Sequence, residues 1–160
     1  MKRLEDGSAA QPLNPVVRPQ ERLVDSPKLY TPLQIRSGSF FGGPFAPIYL
    51  LRENFVALGR NDAARLTLLF GAAFIVVVLA TLPFLPDRFP RYVLPLAYSI
   101  SAGAIAERWQ LGKAAILESS QYQIQSTWRV ACLGVILLIA FLVVAFMELF
   151  GLDALGVIVL

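Results

Sequence analysis

Leu66 to Pro86 reads LTLLFGAAFIVVVLATLPFLP, 21 consecutive residues without a charge. A helix needs about 20 such residues to cross the roughly 30 Å of hydrocarbon in a bilayer, so this stretch is predicted to span a membrane. A second run, VACLGVILLIAFLVVAFM from Val130 to Met147, is only slightly shorter. A soluble protein could enclose two all-apolar helices only inside a shell of amphipathic ones, and a chain of 160 residues has too little left over to build that shell. The 56% hydrophobic content and mean hydropathy of +0.62 agree with a bilayer as solvent.

Composition removes several kinds of chemistry. With no histidine in the chain, histidine general bases, histidine metal ligands and a histidine pH switch are excluded. The lone cysteine, Cys132, has no partner for a disulfide and sits in the second apolar run, where a buried small hydrophobe is expected. The pI of about 9.3 is basic, yet the Lys and Arg flank apolar segments instead of forming one basic face. Nucleic acid is therefore not expected as a partner, and the arrangement suits membrane orientation.

Residues 1–36 contain Pro12, Pro15, Pro19, Pro27 and Pro32 among mixed charges and no sustained apolar periodicity, which predicts a flexible polar tail. The start MKRLEDGSAAQP has no apolar core of a signal peptide. The membrane domain is expected over 37–160. Its first part, SGSFFGGPFAPIYLL (37–51), is uncharged but interrupted by Gly42, Gly43, Pro44 and Pro47. Pro47 is placed to open a helix and Gly59 to close one, giving a short helix over 48–58. Ile48, Leu51, Phe55 and Leu58 recur on one side of it, with Arg52, Glu53 and Asn54 largely elsewhere. The whole segment 37–58 thus reads as a broken interfacial or re-entrant element, after which Asn61 or Asp62 can cap the next helix.

The first span, 66–86, ends in the proline-rich turn PFLPDRFPRY. A further span is predicted over 92–109, where Tyr92 and Trp109 bracket a short apolar run and Arg91 and Arg108 can snorkel to headgroups. On it Ser99 and Gly103, and likewise Ala102 and Ala106, lie four apart and form a small face for close helix contact. The stretch 110–127 is polar enough for a loop with an interfacial helix at its start, and Gln121, Gln123 and Gln125 alternate with Tyr122 and Ile124 as in a strand. The span over 130–147 completes the set.

Cytoplasmic loops accumulate Lys and Arg. With three spans and a cytoplasmic N-terminus, only Arg88 and Arg91 face outward and the other twelve cations face inward. If 37–51 also crossed, the sides would hold eight and six, almost no asymmetry. The charges favour three spans over the four-span alternative, which stays open because neighbouring helices can satisfy a Pro- and Gly-broken backbone.

No ionisable group lies inside the predicted cores, where a pump or carrier would keep paired charges. Thr67, Thr81, Tyr98, Ser99 and Ser101 are expected to serve as helix contacts or to bond their own turn. Glu148 is expected at an interface. Glu107 and Arg108 read as solvated interface charge, or as partners for Arg129 or Arg65. The Gly42–Gly43–Pro44 turn is expected to be a kinked turn, with a backbone nest as the alternative, although no phosphate-loop lysine accompanies it. Arg52, Glu53 and Asn54 behind it are the densest polar group near an apolar element and the leading candidates for contact with a headgroup or partner.

The segments FFGGPFAPIYLLRENFVALGR (40–60), FPRYVLPLAYSISAGAIAERWQL (89–111) and QSTWRV (125–130) resemble a group of small multipass bacterial inner-membrane proteins. The likeness covers roughly 37–147. It implies an integral inner-membrane protein and carries over no catalytic residue. The combined expectation is an all-α membrane protein without catalytic residues, cofactor or metal, acting by protein–protein contact in the bilayer as an accessory subunit or as a protective, immunity-type protein. Gly42, Gly43, Pro44, Arg52, Glu53, Asn54, Ser99, Gly103, Glu107 and Arg108 are its candidate contact residues. The alternative is a small channel or carrier built from several copies.

Overall fold

A computed structural model describes residues 26–86, 88–119 and 121–157. It is mostly helical, at 76%. The elements run β1 (Lys28–Leu29), α1 (Pro32–Gly42), α2 (Phe45–Ala57), α3 (Asn61–Thr81) with a 3-10 turn at Leu82–Phe84, α4 (Val93–Trp109), α5 (Lys113–Glu118), β2 (Gln123–Ile124) and α6 (Thr127–Ala154).

The tail expected through residue 36 ends earlier. Residues 1–25 lie outside the described residues, but 28–36 enter the core, with Tyr30 and Ile35 fully buried. Lys28 and Leu29 pair in parallel with Gln123 and Ile124, so the alternation at 121–125 does mark a short strand. Thr31 then caps α1: its hydroxyl accepts from the Gln34 amide, and the Gln34 side chain accepts from the Thr31 amide. With Pro32 supplying the first helical φ, three neighbouring residues start the helix.

The Gly/Pro-broken element is two helices folded against each other. Gly43, at φ +69°, ends α1 in a conformation that glycine adopts without strain, and α2 begins at Phe45, earlier than the predicted 48. Gly59 closes α2 as expected: its amide donates to Val56 and the Arg60 amide to Phe55, the paired bonds of a Schellman end. Neither Asn61 nor Asp62 caps α3. Arg60 holds the cap position without a side-chain bond, and Asp62 sits in the first turn, where its charge suits the helix dipole.

This hairpin is the centre of the molecule. α1 packs mainly on α4 and α6, and α2 mainly on α3. Tyr30, Ile35, Leu50, Leu51, Ala102, Ala106 and Val130 form the core. α1 and α2 are therefore enclosed from several sides, unlike an amphipathic helix lying flat on a surface. The small face of α4 (Ser99, Ala102, Gly103, Ala106) is its buried face and receives α1. Gly38 and Gly42 of α1 meet α6: a Cβ on Gly42 would stand 2.9 Å from the Gly134 Cα.

Among the described residues two helices are long and apolar enough to cross a membrane, α3 with its 3-10 turn (mean hydropathy 2.4) and α6 (mean hydropathy 3.1). Only 6% and 17% of their most apolar windows are buried. The core helix of a soluble protein has the opposite pattern. Cys132, expected to be buried, is exposed on α6. Thr67, Thr81 and Ser101 donate to the carbonyls four residues back, and Ser99 to the one three back, as helical hydroxyls do when no other acceptor is near.

Candidate functional site

The polar contacts between elements gather at one end, where α1 and α6 begin and α2 and α4 finish. Asn54, 1% exposed, is the pivot. Its Oδ1 accepts from the Tyr30 amide at 2.8 Å, and its Nδ2 donates to the Tyr30 carbonyl and to Gln110 Oε1, both at 2.8 Å. Gln110 Nε2 donates onward to the Leu51 carbonyl at 3.0 Å. Gln34 Nε2 donates to the Gln125 carbonyl at 2.7 Å, tying α1 to the segment before α6. Around this clamp, Arg60 Nη1 donates to the Trp109 carbonyl at 2.6 Å, and its guanidinium lies 5.4 Å from the Phe55 ring centroid. Arg36 and Glu107 form an ion pair at 3.3 Å. The Tyr30 hydroxyl is buried without a hydrogen bond of full geometry. Burial pushes its phenol above the usual value, and the charge of Arg129 offsets part of that effect.

The sequence-predicted residues divide between this end and the hairpin tip. Asn54 faces inward and is committed to the fold, whereas Arg52 and Glu53 are half-exposed and pair with each other at 3.4 Å. The partner of Glu107 is Arg36, not Arg129 or Arg65, because α1 lies directly along α4. Arg108 is exposed in the last turn of α4. Ser99 and Gly103 lie under α1, where a Cβ on Gly103 would stand 2.7 Å from Arg36 Nε. The small face is thus filled from within the same chain.

Gly42, Gly43 and Pro44 form the hairpin tip. A helix start leaves four amides unpaired. Here two of the four belong to Pro44 and Pro47, which have no amide hydrogen, and a third, on Ala46, donates to the Gly43 carbonyl. The tip therefore presents few unpaired donors to its apolar surroundings, as a kinked turn does, and has little to offer an anion as a nest.

Two signals were missed. Gly38 and Gly42, four apart, carry the small-xxx-small signal that predicts the contact with Gly134. Thr31-Pro32-Leu33-Gln34 carries the capping-box signature of a helix start, hidden in a stretch whose prolines suggested a tail.

One large cavity, about 770 Å³, opens between α2, α3 and α4. Phe70 and Phe74 of α3 and Leu94 and Ile105 of α4 wall it, over a floor that includes Leu51 and Phe55. Phe74 and Tyr98 meet edge to face, 6.2 Å apart, across its far part. Arg60 and Trp109 line the other end. Among the described residues no cluster of three His, Cys, Asp or Glu could hold a metal ion. No family model matches the chain, and no curated protein or solved structure matches it either.

Proposed function

We propose that this chain is an integral protein of a bacterial cytoplasmic membrane that acts without catalysis, by binding a membrane protein partner, as an accessory subunit or a protective protein does. In this reading α3, α4 and α6 cross the bilayer, and the α1–α2 hairpin enters and leaves it from the cytoplasmic side. The starts of α1, α3 and α6 share one end of the molecule with the finishes of α2 and α4, which fits three crossings with the hairpin dipping in between. α4 rises about 26 Å over its 17 residues, close to the roughly 30 Å of a hydrocarbon core, and has Tyr92 before it and Trp109 at its end. The proline-depleted donors of the hairpin tip suit an apolar depth, where unpaired amides are costly. The excess of Lys and Arg at the shared end supports a cytoplasmic N-terminus.

The observation that carries the binding role is the length of α6. Arg129 and Glu148 stand about 28 Å apart along its axis, which already matches the hydrocarbon thickness, and the helix continues to Ala154. Past Glu148 the helix presents Phe150, and the turn that follows it presents Leu155 and Val157, 63%, 79% and 56% exposed. Large apolar side chains beyond the hydrocarbon call for a protein surface to cover them. The channel alternative has less support, because Ser99 lies under α1 and Ser101 donates within its own helix.

The test is affinity purification from membranes in mild detergent, comparing the unaltered chain with a Phe150→Ser, Leu155→Ser double variant. A distinct partner that accompanies the former and is lost from the latter is the expected result. A homogeneous assembly of this chain alone would replace the accessory role with the channel.

A further inference from the structure

The cavity between α2, α3 and α4 is open along its side, and on the membrane reading above, on which this inference rests, that side faces lipid. Its long dimension follows α3 from Arg60 to Phe74, about 20 Å of helix rise, which covers one leaflet of a hydrocarbon core about 30 Å thick. The lining is almost wholly apolar. The exception in charge is Arg60, at the end where the polar contacts gather.

Arg60 has no carboxylate partner among the described residues: the ion pairs found are Arg36–Glu107 and Arg52–Glu53. One of the five guanidinium N–H groups is taken by the Trp109 carbonyl. The others are left at the mouth of a leaflet-deep apolar cleft, beside an indole of the kind that settles at headgroup level.

Charge and lining together point to a lipid as occupant: one cationic side chain at the end of a leaflet-deep, almost wholly apolar cleft matches a headgroup phosphate joined to a hydrocarbon chain. We infer that this cleft binds one anionic phospholipid of the cytoplasmic leaflet, with an acyl chain along Phe70 and Phe74 and its phosphate on Arg60.

Native mass spectrometry of the full chain, extracted from membranes and titrated with dioleoylphosphatidylglycerol or dioleoylphosphatidylcholine, tests this. One phosphatidylglycerol should be retained per chain, about tenfold more tightly than phosphatidylcholine, whose phosphate is the same but whose trimethylammonium group cancels the net negative charge that draws the headgroup to Arg60. Arg60→Gln should bring the two lipids to within about twofold of each other. Ala97 lines the cleft and is exposed, so Ala97→Phe should fill the space and abolish retention with helicity unchanged. Equal retention of both lipids by the unaltered chain, or full retention by Ala97→Phe, would overturn the site. A chain extracted from membranes that holds no lipid would overturn it alone. Recovery of the chain in the soluble fraction would overturn the membrane reading and this site with it.

Discussion

Asn54 is a polar side chain sealed inside an apolar core, and its three hydrogen bonds explain why the core accepts it. Replacing it with leucine leaves the Tyr30 amide and carbonyl buried and unpaired. Asn54→Leu should lower stability by about 2–4 kcal/mol, read as a drop in the thermal midpoint of helicity in mild detergent, and an unchanged midpoint would contradict the clamp. Tyr30 gives a pH signature at the same place. Burial raises its phenol above the ordinary 10.0, so the folded chain holds this proton to higher pH than the unfolded chain does. Its contribution to stability is complete below about pH 10 and is lost as pH rises through the folded value. The midpoint of Tyr30→Phe should accordingly fall less steeply above about pH 10 than that of the unaltered chain; parallel curves would remove Tyr30 from the account. Neither role was legible beforehand. The neighbours Arg52, Glu53 and Asn54 look alike as a polar triplet, and only the position of Tyr30 and Gln110 in space separates the inward Asn54 from the outward pair.

Glycine and proline decide where the elements begin, end and touch. A Cβ at Gly42 would meet both the Ala46 Cβ at 2.7 Å and the Gly134 backbone at 2.9 Å, and neither neighbour is the free end of a long side chain. Gly42→Ala should therefore cost about 1–3 kcal/mol, while Gly112→Ala, with nothing within 4 Å, should change stability by less than about 0.5 kcal/mol. Comparing the two thermal midpoints tests the helix crossing directly. Pro47→Ala makes a sharper point, since it restores an amide hydrogen at a buried position of the first turn of α2. It should destabilise by about 1–3 kcal/mol, and a stabilised variant would show that the tip is wet. Much at this scale was readable. The apolar runs of α3 and α6, the helical stretch ending at Trp109, the break at Gly43 and Pro44 and the stop at Gly59 follow from hydropathy and φ requirements alone. The hairpin's burial was not, because hydropathy averages over α1 and α2 say nothing about how many sides of a short helix are covered. Nor was the pairing of β1 with β2, which joins two-residue strands far apart in the chain.

The whole molecule is a hairpin held among three longer helices, with the polar contacts between elements concentrated at one end. On the proposed topology Ser26 and Asn61 share a side that Arg88 does not. In a Cys132→Ala background, cysteines at 26 and 61 should react with a membrane-impermeant maleimide only after lysis of spheroplasts, and a cysteine at 88 should react in intact ones. Labelling of 26 and 61 from opposite sides would mean that 37–58 crosses completely. The central hairpin also sets a timetable. α1 and α2 are made first, but the surfaces that enclose α1 belong to α4 and α6, and the Leu138 and Phe141 side chains beside Gly43 come about 100 residues later. At roughly 5–20 residues per second of synthesis, the ribosome delivers that cover on the order of 5–20 s after the hairpin emerges. During this interval the newborn helices have to be sheltered by the insertion machinery or by lipid, so the arrival of α6 governs when α1 and α2 can settle.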